Sequence, residues 1–413
     1  MNILIINQPH FNRGDESAHK GLVRTLIQRI PDANIRVLSR IECLESIRQY
    51  AVRNEKVEYV FEPMDSLKIR GLKVYGLQHR LKWLWHLHPL MYQYRKHYKW
   101  ADIVVCAPGG ICMGGFQNWE HLVLLHMAKF YHRPLAYYGR SFGPFPTEKK
   151  SHRRFKELSI EIIRYFRFFS IRDHQSELLA KEMGVPYVPT VDSAFLDSPE
   201  AIIPYEVKRA IGTAPYMVFV PNYLRWHYAY HDRLSHETII QFYKRLIDLI
   251  TEVSPELNIV MLPQLFGRDD RYSLSDVKLF RELAEQVNND KLIVTSDNYS
   301  SDIQQAVINR ARYVIGARYH SIVFAINQNV PFIALSYEHK MRGLLESLGK
   351  PEWCVEFTET MDSPENEQKT LDEVRSLIPR LIPDTELQKK AKEKAMGCME
   401  RFIHDCISDL RKH

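Results

Sequence analysis

Four basic side chains in this 413-residue sequence stand where chemistry on an anion could be done. Arg318 and His320 follow an apolar run, 313–315, that breaks at Gly316. Lys340 follows a second run, 330–335, with Ser336, Tyr337, Glu338 and His339 between. Arg140 follows a third, 135–138, after Gly139. Each run reads as a buried parallel strand. In open parallel sheets ligands bind at the carboxyl ends of strands, where helix N-termini favour negative charge. Arginine offers a fork that matches carboxylate or phosphate. Lysine supplies a point charge, and histidine exchanges a proton near neutral pH. Together they suit a small dianion or trianion and a proton transfer. A single histidine is most often structural. Its place two residues after Arg318 at a strand exit tilts His320 toward function.

The elements that must hold these residues are legible in the periodicity. The run 3–6 reads as a buried strand leading into Gly14, which can turn sharply. Asp15 is then expected to cap a helix over 17–29, or to act as a functional acid. Strands follow at 36–38, 57–61, 102–106 and 135–138. Gly109 and Gly110 at one strand exit would let the backbone approach a ligand. After a linker near 196–204 the pattern restarts, with strands at 216–221, 257–262, 292–295, 313–315 and 330–335. An α/β chain of two Rossmann-like, doubly wound domains is expected, with a cleft between them. Their bounds are 1–200 and 205–383. A terminal helix, 384–413, with Met396, Met399, Phe402, Ile403 and Ile407 on one face, is expected to pack across the domains.

Composition narrows the class. The chain is 45% hydrophobic and 26% charged with a net charge of +6, ordinary for a globular protein and compatible with an anionic substrate. Its six cysteines form no CxxC pair, which points to reduced cytosolic thiols and no metal site. No leader-like start and no apolar run of about 18 residues appears, so a cytoplasmic protein is expected. There is no Walker loop for ATP. The segment 66–101 stands apart. It has no Asp or Glu, eight Lys and Arg, and the aromatics Tyr75, Trp83, Trp85, Tyr92, Tyr94, Tyr98 and Trp100. It reads either as amphipathic helix with an aromatic core face, or as peripheral contact with an anionic membrane or lipid-linked substrate. Nucleic acid ranks last.

The ordered set of motifs resembles the polysaccharide pyruvyl transferase family. Gly14-Asp15-Glu16, Gly109-Gly110, Gly143-Pro144, Arg172-Asp173 with Ser176, Asp192 with Ala194-Phe195, and the pair Asp269-Asp270 all take part. Most specific is Gly316-x-Arg318-x-His320 with Phe324-Ala325, Val330-Pro331, Ser336-Tyr337, Lys340 and Leu348-Gly349. The resemblance implies a fold similar to GT-B glycosyltransferases. It implies transfer of a pyruvyl group from phosphoenolpyruvate to sugar hydroxyls of a surface polysaccharide or its lipid-linked precursor, with no other cofactor. It gives Arg318 the grip on phosphoenolpyruvate, His320 the acid role and Lys340 that of a supporting cation. Arg140, Tyr319, Gly109, Gly110, Asp15, Ser336 and Tyr337 are expected around the substrates. Tyr319 stands where leucine is usual, and Arg140 where glutamine is frequent. Two rival readings remain: a GT-B glycosyltransferase using a nucleotide sugar, and a membrane-bound glycan- or nucleic-acid-binding protein led by 66–101.

Overall fold

In a computed structural model the chain forms two compact units. The structure describes residues 1–9, 12–39, 51–61, 67–86, 89–115, 117–197, 199–200, 202–227, 229–266, 275–408 and 410. The pair Asp269-Asp270, Cys43 and Ser66 lie outside the described residues.

The first unit comprises Met1–His10, Asp15–Asp197 and Lys392–His413. Its seven strands are β1 (Asn2–Ile6), β2 (Asn34–Ser39), β3 (Val57–Phe61), β4 (Ile103–Cys106), β5 (Leu135–Tyr137), β6 (Phe168–Ile171) and β7 (Val188–Pro189). They form one parallel sheet ordered β3-β2-β1-β4-β5-β6-β7. Near-continuous apolar runs make such strands, because both faces are covered. Side chains alternate between the faces. Ile3 and Ile5 of β1 pack with Leu22, Val23 and Leu26 of α1 (Arg13–Arg29) and with Met399, Phe402 and Ile407 near the C-terminus. Leu4 and Ile6 join the opposite core. That core also takes residues of α3 (Pro89–Trp100), α4 (Trp119–Phe130) and α5 (Lys150–Ile163). Phe402 meets the rings of Tyr138 and Phe168 at 5.6 and 5.3 Å. Burying one such ring contributes roughly 1.5–3 kcal/mol.

Part of the basic aromatic segment has the core face expected of it. It forms α2 (Leu67–Gln78), a 3₁₀ turn at Lys82–His86, and α3. Trp85, Tyr94 and Tyr98 are core, and the buried Lys73 donates to the Tyr94 hydroxyl at 2.9 Å. Tyr75, Trp83 and Tyr92 stay exposed. No described helix is long and apolar enough to cross a membrane.

The second unit comprises Phe11–Gly14 and Ser198–Ala391. Its strands are β8 (Tyr216–Val220), β9 (Asn258–Met261), β10 (Leu292–Val294), β11 (Val314–Gly316), β12 (Phe332–Ser336) and β13 (Cys354–Glu356). They form a parallel sheet ordered β10-β9-β8-β11-β12-β13. Its helices include α7 (Tyr205–Ile211), α8 (His236–Val253), α9 (Asp276–Val287), α10 (Ser301–Asn309), α11 (Tyr319–Asn327) and α12 (His339–Leu348). In both sheets the strand order reverses once, between β1 and β4 and between β8 and β11. Those reversals are where doubly wound sheets open a crevice for ligands.

Candidate active site

The handover from β11 to α11 fixes Arg318 and His320. A Cβ on Gly316 would stand 2.0 Å from the Ser321 hydroxyl, so only glycine lets the first helical turn fold this closely onto the strand. That hydroxyl donates to the Arg318 carbonyl at 2.5 Å, and the Ser321 N–H bonds the same oxygen at 3.0 Å. Arg318 is extended, with φ −97° and ψ 127°, and immediately precedes the helix. His320 lies within the first turn. Both are buried, at 9% and 6% exposure.

Asp276, the first residue of α9, anchors Arg318. The Arg318 Nη2 donates to Asp276 Oδ1. Asp276 Oδ2 accepts the N–H groups of Gln264 at 2.9 Å and Leu265 at 3.0 Å. The carboxylate is 1% exposed and opens α9 behind the Ser275 cap, a position that favours negative charge. The buried carboxylate is tolerated here because it is paired and hydrogen-bonded through both oxygens. Arg318 Nε is buried with no hydrogen-bond partner, leaving a donor beyond those the carboxylate uses. The signal in the sequence was Ser275-Asp276 ahead of an amphipathic helix, which reads as capping and says nothing of a guanidinium 42 residues on.

Gly14, in the first turn of α1, also meets this site. Gly14 groups with the second unit, and a Cβ there would stand 1.8 Å from the His320 ring. The His320 ring lies edge-on to Tyr319, with centroids 5.1 Å apart, and 6.4 Å from Phe324. Tyr319 is half-buried. The helix begins at Arg13, earlier than expected, so Asp15 is in its first turn and is not the cap. Asn12 caps instead: its Oδ1 accepts the Gly14 N–H at 2.8 Å.

At the exit of β12, Ser336 donates to the Glu338 carbonyl at 2.9 Å. Tyr337 is buried, and its carbonyl accepts the Tyr230 hydroxyl at 2.5 Å. Burial pushes the Tyr337 phenol well above its ordinary range. As placed, Ser336 and Tyr337 shape the turn that carries Lys340. The Lys340 ammonium is half-buried and stands 3.4 Å from Glu338 Oε2. His227 belongs to this group and carried no sequence signal. Its ring meets Tyr337 at 6.2 Å. Burial lowers its pKa, with Lys340 and His339 adding and Glu338 opposing.

In the first unit Arg140 is turned inward. Its Nη1 donates to the carbonyls of Ala107 at 2.8 Å, Asn7 at 3.3 Å and Pro108 at 3.4 Å, and its Nη2 meets Cys112 Sγ at 3.0 Å. Those carbonyls end β1 and β4, so the guanidinium ties the two strands at the reversal point. Gly109, at φ 155°, bridges Arg140, and a Cβ there would crowd the guanidinium at 3.1 Å. Gly110 has open space where a side chain would start. Two family motifs are structural in this unit. Asp173 caps α6 (His174–Glu182) through Ser176, whose hydroxyl also holds both polar groups of the Phe142 backbone at 2.9 Å. Asp192 is buried against Arg172.

A profile described as polysaccharide pyruvyl transferase matches residues 12–339. The chain belongs to the polysaccharide pyruvyl transferase family. It is similar to the amylovoran biosynthesis protein AmsJ of Erwinia amylovora, 23% identical over 392 residues, covering 88% of this chain and 89% of that one. Among solved structures it resembles a putative UDP-N-acetylglucosamine 2-epimerase from Listeria monocytogenes. That match has a TM-score of 0.59 at 10% identity and covers 100% of this chain and 97% of the other. An α,α-trehalose 6-phosphate synthase from Burkholderia multivorans matches with a TM-score of 0.52 at 10% identity, over 99% of each chain. These likenesses show the fold, which is of the GT-B type. For this pyruvyl transferase family member, the matched span contains Gly14, Arg318 and His320 and ends one residue before Lys340.

Proposed function

We propose that this family member transfers a pyruvyl group from phosphoenolpyruvate to two sugar hydroxyls of a surface polysaccharide or its lipid-linked precursor, forming a ketal. The observation that carries the reading is the pairing of Arg318 and His320 on one helix start at the β8/β11 reversal. There Arg318 is braced by a buried carboxylate and keeps an unpartnered Nε. Phosphoenolpyruvate is a small polyanion with a carboxylate and a phosphate. A braced guanidinium matches either group, and the start of α11 adds backbone N–H groups.

His320 gives a proton to the methylene carbon, and C2 becomes electrophilic. The first acceptor hydroxyl bonds to C2 and returns its proton to the imidazole. The C2–O bond to phosphate breaks, and the electron pair leaves on phosphate. Arg318 and Lys340 offset the charge that develops there. The second hydroxyl closes the ketal, and its proton leaves with phosphate. Support for a glycan acceptor comes from the family description and from the name of AmsJ, a protein of amylovoran biosynthesis.

The test is incubation with labelled phosphoenolpyruvate and candidate lipid-linked glycans, read by mass spectrometry and phosphate release. His320→Ala should cut the rate by roughly 10²–10⁴ with the fold retained. Phosphoenolpyruvate should also raise the melting temperature. Stabilisation by a nucleotide sugar and not by phosphoenolpyruvate would overturn the reading in favour of glycosyl transfer.

A further inference from the structure

We infer that the surface formed by α2, the 3₁₀ turn and α3 of the first unit docks the protein onto an anionic lipid bilayer. The segment 67–100 holds eight Lys and Arg and no Asp or Glu, so against the whole chain's +6 the remainder carries a net −2. The chain's entire positive excess is therefore concentrated in these 34 residues.

Folding sorts the aromatics of this segment by depth. Trp85, Tyr94 and Tyr98 go inside and knit the elements together, and the Trp85 indole donates to the Lys73 carbonyl at 3.2 Å. Tyr75, Trp83 and Tyr92 remain 50%, 56% and 66% exposed, one on each of the three elements. Exposed beside them are Arg80, Lys96 and Lys99. The start of α5 extends the basic character: Arg154 is tied to the end of α2 by its bond to the Gln78 carbonyl at 2.8 Å, and Lys149, Lys150 and Arg153 are exposed on its first turns. Acidic groups nearby are Glu148 and Glu157 on that side, and Glu161, which is engaged with Lys82 and Lys129.

Exposed Trp and Tyr with Lys and Arg make up the composition of a bilayer-interface anchor. The amphipathic rings sit at headgroup depth while the cations meet anionic lipid. A sugar polymer would need acceptor side chains for its hydroxyls. Apart from its tyrosine hydroxyls and histidine rings, the segment has no Asp, Glu, Asn, Ser or Thr and only two amides, Gln78 and Gln93. This favours lipid over glycan.

The experiment is flotation of the full chain with vesicles of pure phosphatidylcholine and with vesicles containing phosphatidylglycerol. Binding is expected only to the second kind and should fall with added salt. Lys96→Ala with Lys99→Ala should weaken it roughly 25-fold, about fivefold per charge. Trp83→Ala with Tyr92→Ala should weaken it as well, at unchanged melting temperature. Equal flotation with both vesicle types, or none with either, would overturn the inference. So would tight binding to heparin or RNA together with aromatic variants that still float as the wild type does.

Discussion

Replacing Asp276 tests the anchoring of the candidate site most sharply. Asp276 is 1% exposed and is bound by the Arg318 guanidinium and two backbone N–H groups. Asp276→Leu leaves the Arg318 charge buried without its partner. Breaking such a pair from one side costs about 3–5 kcal/mol, against a total stability of roughly 5–15 kcal/mol for a folded domain. With a urea dependence of about 1–3 kcal/mol/M, the midpoint for the second unit should fall by more than about 1 M. Arg318→Met alone should cost a similar amount, for the mirror-image reason. The double variant should not lose the sum, because removing both charges also removes their desolvation cost. The assay is urea denaturation of the four proteins, followed by circular dichroism and tryptophan fluorescence. Losses that simply add, or an Asp276→Leu protein that melts with the wild type, would refute the claim that this carboxylate braces Arg318. Phosphoenolpyruvate titration of the folded Asp276→Asn protein then separates bracing from folding: its affinity should fall tenfold or more, about 1.4 kcal/mol.

Three further outcomes follow from the geometry. Gly14→Ala forces a methyl to within 1.8 Å of the His320 ring, so activity should collapse while overpacking costs about 1–3 kcal/mol in melting experiments. Arg140→Met strips the carbonyls of Asn7, Ala107 and Pro108 of their donor; the first unit should lose on the order of 2–3 kcal/mol with phosphoenolpyruvate affinity unchanged. Lost affinity at full stability would instead return Arg140 to the substrate. The buried His126 is held neutral: its Nε2–H donates to the Leu158 carbonyl at 3.0 Å and its Nδ1 faces the Lys82 ammonium at 3.2 Å. Burial, then Lys82, pushes its pKa down to about 3 from 6.5, so the unfolded chain takes up its proton first. The stability this provides is whole above pH 6.5 and drains as pH falls toward 3. Between pH 7 and 5 about 2 kcal/mol should be lost, and His126→Gln should flatten that slope in paired denaturation curves.

Much of the site was legible in sequence because its logic is local. A strand run, a glycine and an N-terminal helix turn follow one another within a few residues, so Gly316, Arg318 and His320 could be placed at a strand exit from periodicity alone. Two such patterns in succession implied two doubly wound sheets. What the sequence could not rank was the fate of equivalent strand exits. Arg140 and Arg318 have the same local setting. One reaches back to carbonyls of its own sheet, and the other is braced by an acid 42 residues earlier.

Local pattern by itself determined most of the strands, the handover from β11 to α11 and the residue types available for anion chemistry. Backbone preference and side-chain periodicity act over a turn or two and need no tertiary partner. The tertiary structure alone decided which charges are paired, which aromatics of 67–100 are core and which are surface, and that Gly14 lies against His320. Those facts depend on which distant elements share a boundary, and burial there makes each unpaired charge or extra methyl costly.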